Sequence, residues 1–411
     1  MKLQETQDCW LERSAEDREF FQIPDEGPEQ FSIIVHSHLG WDWVWQRPQQ
    51  FHSRLSQRHR ILFVEGPVPR HGLSTARVSL REVADYPNVV VLQTSIPAER
   101  WSDSAWVDKE RRRLVESVLA GPLGANFQTP VQWFYDPMAV TAFAGHLDER
   151  AIVYDCMDQL SQFRGAPQDL VRRERELLAI ADVVFAGGPK IWKEKKQHNP
   201  NCYSFGCGVD VAHFEKANNP ATIVPDDIGK LPRPVYGYFG VIDERIDYRL
   251  LAALAESNPS GSVAMIGPST KVDPATFPHR PSLYWLGGRD YGQLPAYAKA
   301  FDVCLMPFAL NEATEFINPT KALEYMATGR PIVSTAIEDV VVQFGDVVKI
   351  ARSHEQFATM CRRAAECPNP LGVRRGLKLA GANSWESVVV QMEARVLDVL
   401  RSRRSVAADA A

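Results

Sequence analysis

The chain has 411 residues, of which 45% are hydrophobic and 24% are charged, and its net charge at pH 7 is −5. This composition is typical of a soluble globular protein long enough for two domains, and the chain has no low-complexity segment. The small negative net charge gives no reason to expect nucleic acid as a partner.

The sequence favours a cytoplasmic protein. The seven cysteines are scattered, odd in number and without zinc-site spacing, which predicts reduced thiols. Residues 1–30 form a charged N-terminal extension without the apolar segment of a signal peptide. No apolar run reaches the roughly 18 residues needed to cross a bilayer.

Short apolar segments alternate with amphipathic helical patterns in the first half of the chain. Strands are predicted at residues 31–38, 60–66, 88–94, 131–137, 151–158 and 181–188, and helices at 47–58 and 169–181. This alternation predicts a parallel α/β sheet.

The same alternation restarts after a polar, proline-rich segment at residues 214–234, which we interpret as a linker. Strands are predicted at 234–242, 262–268, 283–288, 301–308 and 331–336, and helices at 249–259, 294–300 and 320–329. We therefore expect two doubly wound, Rossmann-like domains facing a cleft. Their predicted bounds are 31–215 and 216–383, and residues 384–411 form a C-terminal helix that can cross back to the first domain, with a tail.

The segment NPTKALEYMATGR, residues 318–330, follows a buried strand and opens a helix. Free N–H groups at such a helix start favour phosphate. Thr320 and Lys321 add a hydroxyl and a cation, and Glu324 could accept hydrogen bonds from a ribose. The alternative is a plain amphipathic helix that Asn318 caps.

The segment YGYFGVIDERIDYRLL opens the second half of the chain. Gly237 and Gly240 would allow the backbone to approach a phosphate, and Arg245 lies just beyond them. The alternative is an ordinary strand, turn and helix with Arg245 and Asp247 in solvent.

Two segments of the first half carry candidate residues of the acceptor side. After the first strand, a loop with His38 and Trp43 leads to Arg47, which could meet a phosphate or an acidic acceptor, while the aromatic rings could stack on sugars. Asp158 ends the fifth predicted strand, where a carboxylate could serve as general base. The alternatives are a packed core for the tryptophans and a helix cap or turn for Asp158.

The second half resembles the donor domain of GT-B glycosyltransferases, in particular family 4 (glycosyl transferases group 1) and its polysaccharide-biosynthesis subset. The resemblance lies in LEYMATGRPIVST, in LGGRDYGQLPAYAKAFDVCLMPF and in FGCGVDVAHF at residues 205–214, where Cys207 stands in place of the usual Asn. In the first half, WVWQRPQQ at residues 43–50 resembles a loop of the same subset. The resemblance covers residues 31–400.

The resemblance implies roles for individual residues. Glu324 matches the second glutamate of the family's E-x7-E motif and is implied to bind ribose. Thr320 and Lys321, together with Asn318, Gly240 and Arg245, fall where the donor diphosphate is held. The first glutamate of the motif is replaced by Phe316, which leaves the neighbouring Glu315 as a catalytic candidate beside Asp158 and His38.

The sequence therefore predicts a hexosyltransferase-like enzyme that moves a sugar from a nucleoside diphosphate sugar to a hydroxyl of a glycan or lipid-linked acceptor, in polysaccharide or cell-surface glycan biosynthesis. It would need no metal and no cofactor, and the family expectation is retention at the anomeric carbon. The aromatic and basic loop after the first strand permits peripheral association with the inner face of a membrane. The alternatives are a GT-B sugar-nucleotide epimerase and a non-catalytic nucleotide- or glycan-binding homologue.

Overall fold

The computed structural model of the protein describes residues 21, 30–43, 45–163, 165–311, 314 and 320–409. These residues divide into two units. The first comprises the described residues up to Gly187, then Ile191–Phe205 and the residues from Val389 onward. The second comprises Gly188–Lys190 and Gly206–Val388.

A mixed, mostly parallel sheet forms the centre of the first unit. Its order is β3-β5-β2-β1-β6-β7-β8-β9, and β4 pairs antiparallel with β5 at one edge. The strands are β1 Ile33–Ser37, β2 Ile61–Glu65, β3 Val68–Arg70, β4 Arg77–Glu82, β5 Val89–Pro97, β6 Val131–Phe134, β7 Ala151–Cys156, β8 Val183–Ala186 and β9 Cys202–Ser204. The order of the strands reverses between β1 and β6, so the loops that follow these two strands lie at the point where such sheets usually bind ligands.

The central strands of this sheet are buried along their whole length, as expected where helices cover both faces of a parallel sheet. The helices that follow them along the chain are α1 Arg47–Leu55, α2 Ser104–Leu119, α3 Val140–Phe143, α4 Leu170–Ile180 and α5 Pro189–Lys195. Phe21 also packs in this unit, with its ring 5.7 Å from that of Phe127.

The second unit is built on a six-stranded parallel sheet. Its strands are β10 Val235–Phe239, β11 Ser262–Ile266, β12 Leu283–Gly287, β13 Val303–Met306, β14 Ile332–Thr335 and β15 Lys349–Ala351. The order β12-β11-β10-β13-β14-β15 corresponds to 3-2-1-4-5-6, the Rossmann arrangement, and it reverses between β10 and β13. Gly240 directly follows β10, and the connection after β13 leads to Lys321, so the fold brings both segments to the reversal point.

The helices of the second unit alternate with these strands. They are α6 Val211–Phe214, α7 Asp226–Gly229, α8 Tyr248–Ser257, α9 Leu294–Lys299, α10 Lys321–Ala327, α11 Glu338–Phe344, α12 His354–Glu366 and α13 Pro370–Ala382. The fold class predicted from the sequence is thus confirmed, and each predicted strand is present. The short strands β3, β4, β9 and β15 were not predicted.

The segment 214–234 is not a linker. Phe214, Ala217 and Ile228 are fully buried and belong to the hydrophobic core of the second unit. The chain instead passes from the first unit to the second between Phe205 and Gly206, earlier than the predicted boundary after residue 215. The prediction failed because the apolar residues of this segment pack in the core of the second unit, whereas its prolines only indicate irregular backbone.

The C-terminal helix α14 spans Trp385–Asp409. Its residues up to Val388 belong to the second unit, and those from Val389 onward belong to the first. In the first unit, Glu393 of this helix accepts hydrogen bonds from His59, at 2.6 Å, and from Arg58. Among the described residues, no helix is both long enough and apolar enough to cross a membrane.

Candidate functional site

Gly240, directly after β10, leaves the space that the Lys321 side chain occupies. A Cβ atom at Gly240 would lie 2.1 Å from Cε of Lys321 and 2.6 Å from its Nζ, which is closer than any real contact. The φ angle of Gly240 is +140°, a conformation that other residues rarely adopt. The backbone conformation therefore favours glycine here, and the missing side chain leaves room for the end of the flexible Lys321 side chain.

A second glycine completes this turn. Gly267 follows β11 with a φ angle of +153°, and a Cβ atom on it would lie 1.7 Å from the carbonyl oxygen of Gly240. The N–H of Gly240 also donates to the carbonyl of Ile266 at 2.8 Å. The ends of β10 and β11 thus touch backbone to backbone. By contrast, Gly237, predicted to help a backbone approach phosphate, lies within β10 beneath the ring of Phe301 and serves the core.

Lys321 begins α10, and its half-buried ammonium lies 5.7 Å from the centre of the Tyr238 ring. Burial lowers the pKa of Lys321, Glu324 opposes this shift, and Arg245 adds to it. Within the part of the chain that the structure describes, no hydrogen bond or ion pair joins the Lys321 ammonium to another residue. An anion beside it would both stabilise its charge and supply the missing hydrogen-bond acceptor.

Glu324 lies one turn along α10 and is also half-buried. Burial raises the pKa of its carboxyl, and the charge of Lys321 opposes that shift. The N-cap residue of this helix is Thr320, whose side chain makes no capping hydrogen bond. Thr320 lines a small cavity of about 40 Å³, whose other lining residues are Gly206, Cys207, Leu323, Gln343, Phe344 and Asn383.

A buried carboxylate fixes Arg245. Nε of Arg245 donates to both carboxylate oxygens of Asp243 at 3.0 Å, and Nη2 donates to Oδ2 at 2.6 Å. The backbone N–H of Arg245 also donates to Oδ1 of Asp243 at 3.0 Å. Asp243 is only 6% exposed, whereas the Arg245 side chain is 31% exposed. The acid therefore orients a guanidinium that still reaches solvent.

Two tyrosines hold the end of β10 in place. The Tyr238 hydroxyl donates to the carbonyl of Val241 at 2.9 Å, and the Tyr325 hydroxyl accepts from the N–H of Phe239 at 3.1 Å. Burial raises the pKa of both phenols, so both stay protonated near neutral pH. Tyr325 lies on α10, which ties this helix to the turn that carries Gly240.

The structure thus gathers Gly240, Arg245, Thr320, Lys321 and Glu324 at the reversal point of the second unit. Asn318, Glu315 and Phe316 lie outside the described residues. The predicted donor-side residues that the structure describes therefore lie close together. The positions of Asn318 and Glu315 remain predictions.

In the first unit, Arg47 has a different environment from the predicted acceptor contact. It is fully buried, and its Nε donates to both carboxylate oxygens of Asp155 at 2.9 and 3.0 Å. Its Nη1 donates to the carbonyl of Phe205 at 2.7 Å. Burial raises the pKa of Asp155, and the charge of Arg47 opposes that shift. Arg47 and Asp155 therefore pair with each other in the interior of the first unit. The predicted direct contact of Arg47 with an acceptor is wrong.

The tryptophans of the loop after β1 divide into buried and exposed positions. Trp41 is buried, and its backbone N–H donates to Oε1 of Glu65 at 2.8 Å. Trp43 is 65% exposed and Trp45 is 39% exposed, and the Trp45 ring lies 5.7 Å from that of Tyr86. Trp41 thus anchors the loop in the core and leaves Trp43 available for a partner.

His38 lies in the same loop and is half-buried. Its Nδ1 atom is buried and has no hydrogen-bond partner among the described residues. The neighbouring His36 lies in β1, where its Nε2 is 2.8 Å from Oε1 of Gln132, and burial lowers its pKa to about 3. Asp158 is half-buried in the turn after β7 and does not cap the next helical turn, whose N-cap residue is Gln159.

The sequence analysis did not single out three residues that shape the donor-side group of the second unit: Asp243, Tyr238 and Gly267. A signal for Asp243 was present, since an acid two residues before an arginine in a tight turn can reach its guanidinium. No such signal exists for Gly267, because only the pairing of β11 with β10 places it against Gly240.

The family comparison concerns this second unit. Residues 235–366 match the family model of the glycosyl transferases group 1. The match runs from the first residue of β10 to the last residue of α12, and so contains the whole gathered group. The second unit is therefore similar to the glycosyl transferases group 1 over this stretch. One curated relative, named as the teichuronic acid biosynthesis glycosyltransferase TuaH of Bacillus subtilis (strain 168), is 26% identical over 234 residues.

The match to TuaH covers 52% of this chain and 57% of that protein, so the chain spans little more than half of the relative's length. Solved structures resemble the chain over most of its length. Sucrose-phosphate synthase of Thermosynechococcus elongatus is 15% identical with a TM-score of 0.60, covering 90% of this chain and all of that one. HepE of Anabaena, in complex with UDP, is 14% identical with a TM-score of 0.63, covering 89% of this chain and 99% of that one. These likenesses establish the GT-B fold.

Proposed function

We propose that the protein is a glycosyltransferase that takes a sugar from a nucleoside diphosphate donor and transfers it to a hydroxyl of a glycan or lipid-linked acceptor. The observation that carries this proposal is half-buried Lys321, whose ammonium lies beside Gly240 within the residues that match the group 1 glycosyltransferase model. A diphosphate would bring the acceptor oxygens that this ammonium lacks among the described residues. Arg245, held by Asp243, supplies a second cation.

The cations suit the electrostatic demand of the reaction. As the bond between sugar and diphosphate breaks, negative charge grows on the departing phosphate, and prearranged positive groups stabilise that charge. We propose that Lys321 and Arg245 meet this demand without a divalent metal, and that no cofactor is needed besides the donor substrate. Activity that persists in EDTA would support this, and strict dependence on Mg²⁺ or Mn²⁺ would count against it.

The nucleoside and the stereochemistry are also proposals. Glu324 is placed to accept hydrogen bonds from a ribose, and a UDP-sugar is the first donor to test because the Anabaena HepE structure contains UDP. We propose retention at the anomeric carbon, with Glu315, Asp158 and His38 as catalytic candidates. The anomeric configuration of the product, read by NMR, tests this directly.

The acceptor side is proposed in the first unit, at the loop that follows β1. The exposed ring of Trp43 offers a flat apolar face on which a sugar could stack. We propose a cytoplasmic location, in which a lipid-linked acceptor would bring the chain to the inner face of the membrane. Trp43→Ala should raise the KM for the acceptor while the KM for the donor stays the same.

The first experiment is a thermal-shift screen with UDP-, GDP-, ADP- and dTDP-sugars, each with and without EDTA. A ligand that binds only the folded state raises the melting temperature. We expect a shift with one donor class, and at least tenfold weaker donor binding in Lys321→Ala and in Glu324→Ala. Unchanged affinity in both variants would rule out the proposed donor site. Turnover of the donor without any acceptor would favour an epimerase instead.

A further inference from the structure

The outward side of α13 combines positive charge with exposed leucine. Leu371, Arg374, Arg375 and Lys378 are spaced at i, i+3, i+4 and i+7, which places them on one side of the helix, and all four are exposed. Leu371 is 63% exposed, and Leu377, beside this row, is 37% exposed. We call these five residues the α13 face.

The opposite side of α13 packs against the second unit. Gly376 and Ala380 are buried, and a Cβ atom at Gly376 would lie 3.2 Å from Cγ of Met326 on α10 and 3.1 Å from Cγ1 of Val347. The helix is therefore fixed by its inner side, while the residues of the α13 face are exposed in the part of the chain that the structure describes.

The α13 face lies in a stretch of the chain, between Glu366 and Glu386, that has bases but no acids. No acidic residue occurs from Cys367 through Trp385, although the chain as a whole has a net charge of −5. Among the described residues, none pairs with Arg374, Arg375 or Lys378 in an ion pair or side-chain hydrogen bond. Val347, which α13 contacts, lies between one acid, Asp346, and one base, Lys349. This neighbouring segment therefore adds no net charge.

We propose that the α13 face is a docking surface for an anionic lipid bilayer. Cations attract the surface of such a bilayer, and apolar side chains between them gain by entering its interface. A soluble acidic polymer would use the three cations but would gain nothing from Leu371 or Leu377. The exposed leucines therefore favour lipid over a soluble polyanion.

The docking proposal rests on the proposed function in one respect, since an enzyme with a lipid-linked acceptor must reach the membrane that contains it. It places the membrane contact on the glycosyltransferase domain itself, far along the sequence from the aromatic loop after β1. The contact would be peripheral and salt-sensitive, because three exposed charges act only within a Debye length of the surface.

The test is co-sedimentation of the full chain with vesicles of phosphatidylcholine alone or mixed with an equal amount of phosphatidylglycerol. We expect binding only to the anionic vesicles, and less of it at high salt. Each cation removed should weaken partitioning about fivefold, so the triple change Arg374→Gln, Arg375→Gln and Lys378→Gln should weaken it about 100-fold. Leu371→Ser should weaken it about tenfold.

A matched control removes three exposed cations elsewhere: Lys109→Gln, Arg175→Gln and Lys193→Gln. This control has the same net charge as the α13 triple variant, and we expect it to partition within about fivefold of wild type. Equal loss in both triple variants would overturn the proposal, because net charge alone would then explain binding. Absence of wild-type binding to anionic vesicles would overturn it as well.

Two further readouts make the result unambiguous. If Leu371→Ser binds vesicles as wild type does, and dextran sulfate binds the chain as tightly as the vesicles do, the surface recognises polyanions and the lipid proposal is wrong. The donor thermal shift is measured on the same samples. A donor shift without vesicle binding refutes only the α13 surface, whereas vesicle binding without a donor shift counts against only the proposed function.

Discussion

The substitution Gly240→Ala tests the donor site through a single methyl group. A Cβ atom at this position would lie 2.1 Å from Cε of Lys321, whereas ordinary contacts begin at 3.4 Å. The lysine side chain must therefore retreat by about 1 Å or more, a displacement that can cost a binding or catalytic site about 100-fold. The φ angle of +140° adds backbone strain of about 1 to 3 kcal/mol in the folded state.

We expect Gly240→Ala to lower the melting temperature and to weaken binding of the donor nucleotide at least tenfold, which corresponds to about 1.4 kcal/mol. Isothermal titration calorimetry with the donor identified by the thermal-shift screen measures the affinity. Gly292→Ala is the matched control in the same unit, since a Cβ atom at Gly292 meets nothing within 4 Å. It should bind the donor as wild type does.

A double-mutant cycle separates the displacement of Lys321 from other effects. In a Lys321→Ala background the clash with the lysine is gone, so adding Gly240→Ala should weaken donor binding little further. The backbone strain should still lower the melting temperature. A folded Gly240→Ala protein with wild-type donor affinity would refute the placement of the diphosphate beside Lys321.

Three more results are expected. Asp243→Asn should weaken donor binding about as much as Arg245→Gln does, and the two changes together should cost little more than either alone, because the acid acts by orienting the guanidinium. Asp155→Asn should destabilise the first unit by about 3 to 5 kcal/mol, since it leaves the buried charge of Arg47 unpaired, and denaturant unfolding measures this. Burial alone would raise the pKa of Glu393, but hydrogen bonds from His59 and Arg58 outweigh it and lower this pKa from 4.5 to about 2. This carboxylate therefore stabilises the fold by up to about 3 kcal/mol above pH 4.5, and that stability should fade as the pH drops toward 2.

Each of these results has a control or a contradicting outcome. Asp243→Asn with normal donor affinity would show that Arg245 needs no such support. Asp155→Asn with an unchanged free energy of unfolding but a raised KM for the acceptor would return Arg47 to the acceptor site. Glu393→Gln should reduce the loss of stability between pH 4.5 and 2 by about 3 kcal/mol, while Glu366→Gln, an exposed change on α12, should leave it intact.

The sequence alone was sufficient to predict the fold class, and it also singled out the residues that we propose as the donor site. Apolar segments of strand length alternate with helical periodicity, and this local pattern is sufficient to predict parallel α/β units. The turn after β10 and the start of α10 were recognised because a glycine, a lysine and a glutamate at these places suit phosphate and ribose. Each of these signals lies within a few neighbouring residues, so no long-range contact was needed to find them.

The tertiary structure decided what depends on distant partners. Arg47 looked available in the sequence, but Asp155 lies 108 positions away and only the sheet brings them together. The segment 214–234 looked like a linker because prolines mark irregular backbone, whereas its burial depends on the core it meets. The contact between Gly267 and Gly240 depends on the register of β11 against β10. Local composition fixes the preference of each segment for helix or strand, but the role of a side chain follows from what the completed fold places beside it.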